Sequence, residues 1–154
     1  MTQFASIEAP ASMDHWDEFV DFIEHQAGLH LGQGKRNYGL RLACEEIISN
    51  IVRETQDEQS LGQFVTLSIS TLLGVVNQEH WLQVLILDNG PHYDPHFERD
   101  RGVDVNQPLE ERKPGGLGLF LVQKSVDKVE YLWADSMNRY TLWMRLDDPA
   151  SGSA

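Results

Sequence analysis

Cysteine is almost missing from this sequence: Cys44 is the only one, so no intramolecular disulfide can form, and its place inside an apolar helical pattern marks a packed thiol. Basic charge is scarce as well. Twelve Lys and Arg stand against 24 Asp and Glu, a formal net charge of -12 that repels phosphate backbones and argues against direct nucleic-acid binding. No apolar run approaches the roughly 20 residues that span a bilayer, and no basic segment near the start leads into an apolar stretch. No internal repeat is present, and the only low-complexity material is the terminal DDPASGSA. These absences exclude a membrane span and a nucleic-acid binder. They leave the expectation of a cytoplasmic protein whose partners are other proteins or small molecules.

What is present suits one compact unit. A chain of 154 residues with 41% hydrophobic content has the length and apolar material for a single core. The expected organisation is one domain over residues 1–147 followed by a disordered tail, 148–154. Residues 2–9 read as a short edge strand. Pro10 and Ser12 then introduce a helical pattern through Trp16, Phe19, Val20 and Ile23, ending near Gly28. LHLGQGKRN is turn-like, and a second helical pattern runs from Tyr38 through Leu40, Leu42, Ala43, Ile47, Ile48 and Ile51 to Arg53. The polar ETQDEQSLGQ reads as a connection. FVTLSIST and WLQVLILD, rich in β-branched and large apolar residues, read as strands joined in a hairpin around Asn77 and Gln78. From Asn89 to Pro114 there is no sustained apolar period, and a loop of that length inside a compact domain points to a functional lid. GGLGLFLVQKSV predicts a helix behind a glycine-rich start, and KVEYLWAD and RYTLWMRL predict a closing strand pair turning around Met137 and Asn138. The expected class is α+β: a two-layer sandwich with helices on one face of a mixed, mostly antiparallel sheet.

Three segments carry candidate chemistry. In the second helix Glu46 and Asn50 are four residues apart, which puts a carboxylate and an amide on one face. The same spacing also occurs on any solvated helix face. Asp88-Asn89-Gly90 follows directly on an apolar strand, where a carboxylate can reach a ligand amino group and a glycine lets the backbone come close; DNG is equally an ordinary turn. Gly115-Gly116-Leu117-Gly118-Leu119 opens a helix whose free N–H groups suit an anion, though glycines there also serve plain helix entry. No GK[ST] follows, which excludes a P-loop, and no strand precedes, which excludes a dinucleotide fingerprint. His92 and His96 flank Asp94, but Pro95 interrupts any helix that would align them, so a dedicated zinc site is not expected.

Taken in order, these segments resemble the boxes of the GHKL ATPases, the group that includes gyrases, Hsp90 and histidine kinases. Glu46-Ile-Ile-Ser-Asn50 resembles the N-box, Asp88-Asn-Gly90 the first glycine box, and Gly115-Gly116-Leu117-Gly118-Leu119 the second. DNGPHYDP, PLEERKPGGLGLFLVQKSVDKVEY and RYTLWMRL are similar to the anti-sigma regulatory serine kinases, over roughly residues 12 to 146. The resemblance implies a Bergerat-type fold binding ATP and Mg²⁺. It implies Glu46 as general base on the attacking hydroxyl and Asn50 as the Mg²⁺-holding amide. Asp88 and Gly90 would hold the adenine, while Gly115, Gly116, Leu117, Gly118 and Leu119 wrap the phosphates. Thr141 would support a water at the base, and Arg112 and Lys113 would either reach the terminal phosphate or remain solvated lid charges. It implies further an anti-sigma-factor antagonist of the STAS type as substrate, a sigma factor as sequestered partner, and a homodimer formed through the N-terminal strand region. One position departs from the pattern. Where such kinases often carry a histidine after the N-box asparagine, this chain has Glu54, which would crowd the charge of Glu46, add a metal ligand, or face solvent. The alternative reading is therefore an ATP-responsive protein-binding module without transfer activity.

Overall fold

The computed structural model describes residues 4–60, 64–97 and 116–146, with side chains left out at 57–60 and 116–117. The expected lid from residue 98 onward and the expected tail lie outside the described residues. Strand β1 (Phe4–Pro10) leads through a short 3₁₀ turn (Met13–His15) into α1 (Trp16–Leu31) and α2 (Lys35–Ser60). Then come β2 (Thr66–Val76), β3 (Glu79–Asp88), α3 (Gly116–Ser125), β4 (Lys128–Ala134) and β5 (Met137–Arg145). No helix among the described residues is long and apolar enough to cross a membrane.

The five strands stand in the order β1-β2-β3-β5-β4, and all four ladders are antiparallel. Burial alternates along the central strands. Leu82, Val84, Ile86 and Asp88 of β3 are buried on the helix side, as are Asn138, Tyr140, Leu142 and Met144 of β5. Residues between them stay half-exposed on the other face. Each large apolar side chain buried here contributes about 1.5–3 kcal/mol, so a one-residue slip of β3 would cost several times that amount. The register is therefore well specified, and it decides which way Asp88 points. Both hairpins close through left-handed residue pairs, Asn77 (φ 52°) and Gln78 (φ 68°), then Asp135 (φ 54°) and Ser136 (φ 58°), whose twist matches that of the flanking strands.

On the helix layer Phe19, Ile23 and Ala27 of α1 and Leu40, Ala43, Ile47, Ile48, Ile51 and Val52 of α2 enter the same core as the sheet. The packed role expected for Cys44 is its place here: it is fully buried, and burial pushes its thiol well above the ordinary range. A buried hydrogen bond from Thr71 Oγ1 to Gln26 Oε1, 2.8 Å, ties α1 to the sheet. Helix α3 crosses α2 closely, because a Cβ on Gly39 would lie 2.7 Å from the Ser125 carbonyl oxygen.

Several boundaries differ from the sequence expectation. Helix α1 passes through Gly28 to Leu31 and stops at Gly32 (φ 69°), whose N–H reaches the Gly28 carbonyl at 3.2 Å. Helix α2 begins at Lys35 and extends to Ser60, so the polar stretch after Arg53 is helical rather than a connection. The β4–β5 turn falls on Asp135-Ser136, two residues earlier than expected, and Asn138 is a strand residue.

Candidate nucleotide site

Asp88 ends β3 with its side chain on the helix side, 2% exposed. Its Oδ1 accepts from the Gly90 N–H at 2.9 Å and from Asn138 Nδ2 at 2.9 Å. Burial raises its pKa above the usual carboxylate value, and the Asn138 and Gly90 hydrogen bonds pull against that rise. Oδ2 accepts from none of the described residues. The chain after Asp88 turns back on the sheet end. Asn89 Oδ1 accepts from the Thr66 N–H at 2.8 Å, Asp94 Oδ1 from the His96 N–H at 2.7 Å, and Gln123 of α3 donates to the Phe97 carbonyl. The first part of the expected lid is thus packed, with Phe97 buried.

Gly90 is a close-approach position. A Cβ there would lie 2.8 Å from Thr55 Cγ2 and 3.0 Å from Asp88 Oδ1, so the backbone passes where no side chain fits. Between this turn, α2 and β5 lies a small cavity of about 10 Å³, lined among others by Asn50, Glu54, Thr55, Asp88, Tyr93 and Asn138. Whole-ligand pockets usually measure roughly 300–1,000 Å³, so this one has room for about one water, and a nucleotide base would enter only if its walls moved apart.

Helix α2 supplies the other wall. Asn50 is buried, and its Oδ1 accepts from Arg53 Nη2 at 2.5 Å, so the amide oxygen expected to face a metal already carries a cationic donor. Glu54 is exposed at the cavity edge. One turn before Asn50, the Glu46 carboxylate rests against the α3 backbone at Gly118, so close that a Cβ on Gly118 would collide with it. The second glycine segment is therefore in contact with the candidate base. Leu119 is buried in the core beneath it, and Gly116 and Leu117 form the first turn of α3. Gly115, Arg112 and Lys113 lie outside the described residues.

Thr141 is not at this site. It pairs with Leu85 on the sheet face away from the helices, because β5 alternates and its helix-side positions are Asn138 and Tyr140. The residue that meets Asp88 from the last strand is Asn138, which sequence reading assigned to the turn. Tyr93, Tyr131 and Tyr140 were also overlooked. Burial, with Asp94 and Asp88 nearby, pushes the Tyr131 hydroxyl up to about 12, and burial together with Asp88 raises Tyr140 further. Their signal in the sequence was alternation: Asn138, Tyr140 and Leu142 share one parity, which the apolar strand fixes. His92 stacks on Trp133 with ring centroids 4.6 Å apart, and His96 faces Asp94 at 3.6 Å. No cluster of three metal-ligating side chains forms among the described residues.

The sequence matches the family model described as histidine kinase-like ATPase domain over residues 9–146. It is similar to a protein named serine-protein kinase RsbW from Halalkalibacterium halodurans, 31% identical over 93 residues, covering 59% of this chain and 52% of that protein. A Bacillus cereus protein of the same name is 28% identical over 100 residues, 64% of this chain and 58% of its own length. The chain thus spans little more than half the length of these relatives.

Proposed function

The chain belongs to the histidine kinase-like ATPase domain family, and from that premise we propose that it binds MgATP and transfers a phosphoryl group to a serine of a partner protein. The observation that carries the reading is the convergence of three distant segments: Glu46 and Asn50 on α2, Asp88 and Gly90 after β3, and Gly118 on α3. Positions 46, 88 and 118 have no local reason to meet. Helix α2 links them: Asn50 lines a small cavity with Asp88, and Glu46, one turn earlier, faces Gly118 at the glycine-rich helix start.

The residues suit the ligand. Asp88 Oδ2 is the acceptor for the exocyclic amino group of adenine, and Gly90 admits the base past a backbone that no Cβ could line. ATP supplies the phosphoryl group, and Mg²⁺ the charge neutralisation that phosphoryl transfer requires. The amide oxygen of Asn50 is the oxygen ligand the metal would take, shared with or released by Arg53. In this reading Glu46 accepts the proton of the attacking hydroxyl, a role worth typically 10²–10⁴-fold in rate. Gly115, Gly116 and Gly118 would give N–H groups to the phosphates, with Arg112 and Lys113 as their cationic partners.

The relatives' name, serine-protein kinase, supports a protein serine as the acceptor. We propose an anti-sigma-factor antagonist of the STAS type as the phosphorylated protein, a sigma factor as the sequestered partner, a homodimer joined near β1, and a cytoplasmic site of action. The test is calorimetric titration with ATP, ADP and AMP, with and without Mg²⁺, followed by transfer of labelled phosphate to a cognate antagonist. Micromolar ATP binding lost in Asp88→Asn supports the site, and transfer lost in Glu46→Gln with binding intact supports the kinase. Binding without transfer would leave the ATP-responsive binding module. No binding at millimolar ATP would overturn both.

A further inference from the structure

Asn138 is 1% exposed, and every hydrogen-bonding position of its amide is used. Its Nδ2 donates to Asp88 Oδ1 at 2.9 Å and to the Pro91 carbonyl at 2.8 Å. Its Oδ1 accepts from the Tyr93 N–H at 3.0 Å and from the Tyr131 hydroxyl at 2.5 Å. This pattern admits one orientation only. Turned over, the amide would set its oxygen against a carboxylate and a carbonyl, and its NH₂ against the Tyr93 N–H. Asn138 therefore faces Asp88 as a donor, and the Gly90 N–H is a second donor to the same oxygen at 2.9 Å.

Two donors on Oδ1 favour the charged carboxylate over the acid, and so disfavour a proton on Oδ2, the oxygen left for a ligand. We propose that Asn138, held by Tyr131, is the positioning residue that keeps Asp88 a pure hydrogen-bond acceptor, so that the cavity selects a base carrying an amino group over one carrying a carbonyl. The inference rests on the nucleotide reading above and adds to it the device that sets the base preference. A protonated Asp88 would instead present an O–H donor and welcome the carbonyl.

The need for such a device follows from the surroundings. Among the described residues, the titratable groups around Asp88 are Glu54 from α2, Tyr93 and Asp94 from the following loop, Tyr131 from β4 and Tyr140 from β5. None of them is a cation. With no counter-ion among these described groups, the Asn138 and Gly90 hydrogen bonds are what favour the charged form, and burial works in the opposite direction. Removing the Asn138 donor leaves only the Gly90 N–H against burial. Tyr131 contributes one step further out, by fixing the amide oxygen so that the NH₂ is aimed at Asp88.

The experiment measures ATP and inosine triphosphate affinity between pH 5 and 8 for the wild type, Asn138→Ala and Tyr131→Phe, with melting curves for each. Inosine triphosphate carries a carbonyl where adenine has its amino group. The wild type should prefer ATP. Asn138→Ala should cut the ATP-to-inosine ratio about tenfold or more, the scale of a hydrogen bond to a charged group, and move the acid loss of ATP affinity to higher pH. Tyr131→Phe, which removes one oxygen atom, should cut the ratio about two- to fivefold in the same direction. If Asn138→Ala melts out, Tyr131→Phe decides alone. Unchanged ratios and pH profiles in folded variants, beside a wild type that prefers ATP, overturn this inference and leave the ATP site standing. A wild type that binds neither nucleotide overturns the functional reading and this inference with it.

Discussion

The Glu46 carboxylate lies against the backbone of Gly118, with no space between them for a Cβ. A side chain on residue 118 must therefore push either the candidate base or the start of α3. Gly118→Ala should lower phosphate transfer at least tenfold and weaken ATP binding, since it disturbs the base and the phosphate-facing helix start together. The fold should change little in stability, because the atoms met are the free end of the Glu46 side chain. Transfer assays beside thermal melts check this; full transfer activity would mean that Glu46 relaxes freely into solvent.

Asp88 couples stability to function with a sign that can be worked out. Its pKa is higher in the folded protein than in the unfolded chain, so between those two values the folded state binds more protons. Stability attributable to this group therefore falls as pH rises from the unfolded value, and the whole cost is present above the folded one. Asp88→Asn keeps an oxygen for the Gly90 and Asn138 donors while removing the buried charge. The variant should melt higher than the wild type at pH 7 and bind ATP at least a hundredfold more weakly. At low pH the two melting temperatures should converge. A variant less stable at pH 7 would show that Asp88 is structural.

Much of this was legible in the residues, and the misses have definite causes. Strand parity on β3 follows from Leu82, Val84 and Ile86, which is why Asp88 was placed correctly at a strand end. Asn138 was lost because asparagine is a common turn former, and Asp135-Ser136 adopted the left-handed pair instead. That two-residue displacement conceals the residue that holds Asp88, whereas Thr141, which the family resemblance implies at the base, has the opposite parity. The end of α2 was read too early because charges follow Arg53, although Val52 and buried Thr55 continue the helical spacing. Thr55 then forms part of the cavity wall. The Arg53 to Asn50 contact could not be read from spacing alone, since a residue three positions on can equally face solvent.

Gly90 and Thr55 should show coupled effects. A Cβ at 90 would meet Thr55 Cγ2 at 2.8 Å, and Thr55→Ser removes that methyl. Gly90→Ala alone should cost about 1–3 kcal/mol of stability and most of the ATP affinity, Thr55→Ser alone about 1 kcal/mol, and the double variant less than their sum. A double-mutant cycle by denaturant unfolding measures the interaction. Additive losses would show that the remaining 3.0 Å approach to Asp88 Oδ1, rather than the threonine methyl, excludes the side chain.

Arg53 sets the terms on which Asn50 meets a metal. Its guanidinium donates to Asn50 Oδ1 at 2.5 Å, so a divalent cation arriving there must share the oxygen with a positive charge or displace it. Arg53 is exposed, and screening by water limits the repulsion to the order of 1 kcal/mol. Arg53→Gln should therefore lower the Mg²⁺ concentration that half-saturates ATP-dependent stabilisation by about three- to tenfold, with the difference shrinking as salt is raised. Binding of ATP without Mg²⁺ separates two roles for this side chain. If it weakens in Arg53→Gln, the guanidinium leaves Asn50 to contact the phosphates when nucleotide is bound. If it is unchanged, Arg53 acts only as a guard on the amide oxygen. A higher Mg²⁺ requirement in the variant would contradict the electrostatic account altogether.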